Sequence, residues 1–273
     1  ESTISHNEYI NKTFELAQDL YPDYSPSTPD IRVSHDIKWR IPSAIGKPAK
    51  ELLEHEKTIY YERCAFILEI PQIKQVVNGN VLTLSIGGVR AYNQENLYSK
   101  KSLEKFKVFI GFMNMVCTNL CISTDGFSNS IRIGSIYELE NSIHALLSNY
   151  DLDRQLGMME RMSMYKLSEN QFAHFIGKLR MYQHLEKSNK SGMFPILLND
   201  SQISNVVKDY YSCPNFSRDS DGSINLWNLY NLFTESNKSS YIDSNFERNV
   251  NTYEFVNHLA NSIQNDVFDW YLI

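Results

Sequence analysis

The stretch Ile59–Val77, IYYERCAFILEIPQIKQVV, runs into Asn78-Gly79 and then into Val81, Leu82, Leu84 and Ile86. Asn-Gly between two hydrophobic runs is a strong hairpin signal, because both residues tolerate the positive φ of a type I′ turn. The pattern predicts two antiparallel strands joined at residues 78–79. Gly87-Gly88 predicts a bulge or bend at the far end of the second strand. Upstream, Ile31, Val33, His35, Ile37 and Trp39 alternate with Arg32, Ser34, Asp36, Lys38 and Arg40. Period 2 predicts one strand with an apolar face and a charged face. Downstream, residues 106–123 predict two further strands joined near residues 111–114.

After Asp125-Gly126 the period becomes helical. Ser135-Ile-Tyr-Glu138 reads as a capping box before Leu139, Ile143, Leu146, Leu147 and Tyr150. Ser168-Glu-Asn-Gln171 reads as a second, before Phe172, Phe175, Ile176, Leu179 and Tyr182. Further helices are predicted near 151–165, 202–211, 223–234 and 252–265. The 223–234 segment is apolar nearly all round, which predicts a central position, with Asn225, Asn228 and Asn231 as its polar strip. Ahead of the sheet, residues 8–20 read as a helix, and Pro22, Pro26 and Pro29 as a stiff linker.

Strands first and helices afterwards predict an α+β fold. In it an antiparallel sheet over about residues 31–124 is followed by, and packed against, a helical C-terminal half. The expected division is 1–30 (helix and linker), 31–124 (β region) and 125–273 (helical region, one globular unit with 31–124).

The chain has 273 residues, 42% hydrophobic and 21% charged, which excludes wholesale disorder and requires no disulfide or metal staple. Residues 108–124 are uncharged but hold Asn114, Thr118, Asn119 and Ser123, so they are too short and polar to span a bilayer. Residues 1–11 lack the basic and apolar regions of a signal peptide. Four cysteines, Cys64, Cys117, Cys121 and Cys213, fit buried thiols of a reducing compartment. The expected location is the cytoplasm, with no membrane contact.

No motif for a cofactor or metal emerges. Gly87-Gly88 lacks the Lys-Ser/Thr of a P-loop. Cys117 and Cys121, if on one extended strand, lie about 13 Å apart, too far to share an ion. Residues 217–223 start like a calcium loop, but Ser217 and Asn228 occupy the positions that need acids, so a turn before a helix is expected. His174 with Lys178, and Arg180 with His184, fall on shared helix faces and form a candidate polar site. The ordinary reading of such residues is a solvated helix face.

The net charge of −6 is uneven. Residues 1–30 carry six acids and one base, residues 200–273 ten acids and four bases, and the middle 21 bases and 16 acids. Two basic stretches stand beside aromatics. One holds Arg32, Lys38 and Arg40 with Trp39, near Lys47 and Lys50; the other holds Lys100, Lys101, Lys105 and Lys107 with Tyr98 and Phe106. Cations interleaved with aromatic rings suit single-stranded DNA or RNA, whose bases stack while its phosphates pair. On a continuous strand Arg32, Lys38 and Arg40 share one face and span about 26 Å. The same lysines also suit an exposed sheet edge kept soluble by charge.

Several runs carry a resemblance: Ile31-Arg-Val-Ser-His35, Leu52-Leu-Glu-His-Glu-Lys57 with Tyr60-Tyr-Glu-Arg63, Phe106-Lys-Val-Phe-Ile-Gly111 with Val116-Cys-Thr-Asn119, Gln171-Phe-Ala-His174 with Met181-Tyr-Gln-His184, and Ile224-Asn-Leu-Trp227 with Leu229-Tyr-Asn231 and Phe233-Thr234. Together they resemble an uncharacterised bacterial domain-of-unknown-function family often carried on integrated mobile elements. The Val-Cys-Thr-Asn and Trp…Asn…Thr pieces are also similar to a phage/plasmid-like family of unknown function. The resemblance implies a mobile-element setting in a bacterial cytoplasm and carries over no catalytic residue.

These readings converge on a protein that binds single-stranded nucleic acid in replication, recombination or defence evasion of a mobile element. The alternative is a non-enzymatic protein-interaction or inhibitory module with no nucleic-acid contact, favoured by the acidic C-terminal third. An enzyme built around His174 and His184 is the weakest of the three.

Overall fold

The Asn-Gly hairpin forms where the sequence places it. The structure, a computed structural model, describes residues 3–57, 59–92, 103–267 and 269–273. Asn78 (φ 45°) and Gly79 (φ 78°) join β3 (Ile59–Val77) to β4 (Asn80–Tyr92). The other strands of the sheet are β1 (Asp30–Val33), β2 (Ile37–Trp39), β5 (Glu104–Asn114), β6 (Asn119–Cys121) and β7 (Phe127–Ile133). Their order is β1–β3–β4–β5–β6, with β2 also on β3 and β7 also on β5. The β1–β3, β2–β3, β5–β6 and β5–β7 pairs are antiparallel.

The chain divides into two units, and β3, β4 and β5 contribute to both. The first comprises residues 1–72, 85–110 and 127–150. Here α1 (His6–Leu20), opened by a capping box between Ser5 and Glu8, packs with α2 (Ile136–Asn149). Tyr9 anchors α1: its ring meets Phe66 and Phe106 edge-on, and its hydroxyl donates to the Lys107 carbonyl at 2.7 Å. The buried Arg90–Glu104 ion pair holds the entry to α1, since Arg90 donates to the Ile4 carbonyl and the Ile4 amide donates to Glu104.

The second unit comprises residues 73–84, 111–126 and 151–273. It contains α3 (Leu152–Met164), α4 (Glu169–His184), α5 (Asp200–Ser212), α6 (Leu226–Asn237) and α7 (Ile242–Gln264). A small ladder pairs β8 (Lys166–Leu167) with β9 (Ile224–Asn225). α6 is central, packed by α3, α5, α7 and β6, and Leu226, Trp227, Leu229, Tyr230, Leu232 and Phe233 are all buried. Sheet segments thus pack on helices of the C-terminal region, as the change of period predicts.

Several details differ from the sequence reading. The single strand expected over residues 31–40 is two short strands, broken where the Ser34 hydroxyl accepts from the Arg63 amide and the Ser34 amide donates to the Arg63 carbonyl. Its apolar face is not buried: Ile31 and Val33 are 49% and 54% exposed, because β1 flanks the sheet and every residue of it is open to solvent. The strands of residues 106–123 are joined at 115–118, where Thr118 adopts φ 57°, and not near 111–114. The sheet also runs past Asp125-Gly126 into β7. Glu138 satisfies the Gly134 amide, not that of Ser135, so the α2 start is a Ser135 cap without the reciprocal bond. Asn231 lies in the core instead of on a polar strip, and Asn225 caps α6.

β4 continues through Gly87-Gly88, and close approach explains these glycines. A Cβ on Gly88 would stand 1.9 Å from the Tyr9 hydroxyl and 2.9 Å from the Lys107 carbonyl oxygen. Gly88→Ala is therefore expected to cost about 1–3 kcal/mol by overpacking. In urea unfolding its cost should shrink in a Tyr9→Ala background; equal costs in both backgrounds would show that the approach of Tyr9 does not matter.

Candidate functional site

The two basic stretches fare differently. In the first, Arg32 pairs with Asp30 (3.1 Å), Lys38 with Glu54 (3.6 Å) and Lys47 with Glu56 (2.5 Å), and Arg40 donates to the Lys47 carbonyl. Lys57 adds a second cation to Glu54 at 3.0 Å. Glu54 and Glu56 come from the turns after β2, which the alternation of residues 31–40 could not reveal. The break at residues 34–36 also removes the continuous 26 Å run expected of an unbroken strand.

In the second stretch, Lys100 and Lys101 lie outside the described residues. Lys105 and Lys107 alternate on β5 with the buried Phe106 and Val108, so they face away from the side that α1 covers. The β5–β7 register sets Lys105 directly opposite Arg132. Directly opposed residues stand about 5 Å apart at Cβ, so the two cations share one patch. Farther along the same pair Phe109 opposes the partly buried Phe127, after a register shift between Phe106 and Val108. Three cations thus share one face of the β5–β7 pair, which the buried Phe109 closes farther along. Sequence reasoning missed Arg132 because its partner is set by strand pairing, not by spacing.

The candidate polar site on α4 is engaged by neighbouring chain. His174 Nε2 lies 2.6 Å from the Ile273 carbonyl oxygen, and the Lys178 ammonium sits 4.8 Å over the Trp270 ring. Arg180 binds Asp200 at 2.9 Å and Ser204 at 2.7 Å, at the start of α5. His184 lies in the last turn of α4, favourably placed for the carbonyl end of the helix. Residues 217–223 form a turn: Gly222 has φ 83°, its amide donates to the Asp219 carbonyl, and Asp221 accepts from the Ser223 amide and hydroxyl. Among the described residues no group of three or more His, Cys, Asp or Glu could hold a metal ion. No helix among them is long and apolar enough to cross a membrane.

The Val116-Cys-Thr-Asn119 run and the Trp227…Asn231 run meet in space. The Asn231 Oδ1 accepts from Asn114 Nδ2 at 3.0 Å and lies 3.8 Å from the Cys117 thiol. The Asn231 carbonyl accepts from Asn119 Nδ2 at 3.0 Å, and Trp227 Nε1 donates to Asn80 at 2.7 Å. The 115–118 turn and the start of β4 are thereby tied to α6.

All four cysteines are free thiols. Burial pushes Cys64 and Cys117 up to about 11 and Cys121 up to about 12, so all three are neutral at physiological pH. A thiol raised on folding stabilises the native state below its unfolded value, here near 9, and that contribution is lost as pH rises through the folded value. Stability measured by urea unfolding should therefore fall from pH 9 toward 11. Replacing Cys64 and Cys121 by Ala should flatten the early part of that fall; an unchanged slope would show that these thiols do not contribute to it.

A family model described as "Domain of unknown function, B. Theta Gene description (DUF3871)" matches residues 1–272. The chain belongs to this family. Neither a search of curated proteins nor one of solved structures finds a match.

Proposed function

We propose that this member of the DUF3871 family binds single-stranded nucleic acid along β5 and β7 of its first unit. The observation that carries the reading is the β5–β7 register, which pairs Lys105 with Arg132 beside Lys107 on the face turned away from α1. Adjacent cations attract a phosphate chain by neutralising successive phosphates. The Arg32, Lys38 and Arg40 group contributes less, because the break at Ser34 divides its cations between two short strands. The setting we propose is the bacterial cytoplasm, in replication, recombination or defence evasion of a mobile element, where single strands are exposed.

One observation favours the protein-module alternative. β1 flanks the sheet with Ile31 and Val33 exposed, and such an edge can accept a strand from a partner.

Fluorescence anisotropy of a labelled single-stranded oligonucleotide, titrated across salt concentrations, separates the two. Wild type should bind at low salt with a linear log–log dependence. Lys105→Glu with Arg132→Glu should weaken binding and flatten the slope by about 1.4, at roughly 0.7 for each phosphate no longer neutralised. Lys38→Glu should change binding far less. Absence of wild-type binding at low salt, or an unchanged slope in the double variant, would remove this interface.

A further inference from the structure

A cavity of about 330 Å³ opens in the second unit, beside the 115–118 turn and the C-terminal end of α5. Its wall includes Cys117, Asp209, Cys213, Asn231, Leu232 and Glu235. The volume falls at the lower end of the range of small-molecule sites, about 300–1,000 Å³. The exposed Pro214 gives the cavity an apolar side, with the buried Phe216 and Leu232 as its floor.

Its charge decides what fits. Glu235 accepts from the Lys238 ammonium at 2.7 Å, and that ammonium is also held by the Cys117 carbonyl, so this pair is locally neutral. Cys117, held protonated by burial, adds no charge at physiological pH. Among the described residues no cation forms an ion pair with the Asp209 carboxylate. The wall is therefore net negative, which disfavours phosphates and carboxylates. The thiols and acids also do not come together as a metal-ligand cluster among the described residues.

The geometry points to this cavity as the binding site of a small organic cation, an ammonium group on a flat or apolar body. Asp209 is its counter-ion, and the body packs on Pro214 over the floor of Phe216 and Leu232. An ammonium beside a carboxylate in a partly dehydrated cavity gains a charge-assisted hydrogen bond that a neutral isostere cannot make. The site is independent of the basic face on β5 and β7, since it lies in the other unit and selects the opposite charge.

The test compares benzylamine with its neutral counterpart benzyl alcohol by calorimetry on the full chain. A parallel assay measures whether each slows alkylation of Cys213 and Cys117 by iodoacetamide. Benzylamine is expected to bind in the millimolar range and to protect the thiols, and benzyl alcohol to do neither. Asp209→Asn, checked for folding by circular dichroism, should weaken benzylamine about tenfold. If that variant does not fold, the amine–alcohol comparison on the wild type decides. Equal binding of amine and alcohol, an unchanged affinity in a folded Asp209→Asn protein, or neither heat nor protection with benzylamine would overturn the assignment.

Discussion

The buried amide of Asn231 is the interaction on which the second unit depends. Strand ends carry polar groups that water would normally satisfy, and here they are covered by an apolar helix. Asn231 supplies what the water would have supplied. Its side-chain oxygen takes the Asn114 amide at the end of β5, its backbone oxygen takes the Asn119 amide at the start of β6, and its own amide donates to the Trp227 carbonyl within α6. Trp227 extends the arrangement to Asn80 at the start of β4. Each of these groups, left without a partner in the core, would cost about 1–3 kcal/mol. The helix can be apolar nearly all round because the Asn80, Asn114 and Asn119 side chains it meets each find a hydrogen-bond partner on it.

That arrangement explains what could and could not be read from residues alone. The hairpin was legible because Asn78-Gly79 is local chemistry, as were the Ser168 capping box and the apolar character of α6. The role of Asn231 was not, because a helical period assigns it to a strip with Asn225 and Asn228. Burial of an Asn is decided by partners more than a hundred residues away. Gly88 misled for the same reason: a glycine pair in a strand resembles a bulge, while its actual constraint is the Tyr9 hydroxyl arriving from α1. The strand over residues 31–40 failed because alternation signals a buried face only when something covers it, and β1 is exposed throughout.

The candidate binding residues follow the same division. Charges near one another in sequence were visible, yet the acid that meets Lys38 and the cation opposite Lys105 were set by a turn and by strand register. A basic stretch becomes a shared basic face only where the fold turns its charges the same way. The β5–β7 face gathers them by register, whereas β1 and β2 are separated by the break at Ser34. The acidic cavity in the second unit shows the complementary case: its wall joins residues from the 115–118 turn, α5 and α6, and no single stretch of sequence announces it.

The most direct test of the central interaction is a double-mutant cycle in urea at neutral pH, using Asn231→Leu, Asn114→Leu and the two together. If the Asn231 amide satisfies the end of β5, each single change leaves a buried partner unmatched. The double variant should then lose less stability than the sum of the singles, by about 1–3 kcal/mol. Additive losses would contradict the account, and would mean that α6 is held on the strand ends by apolar packing alone.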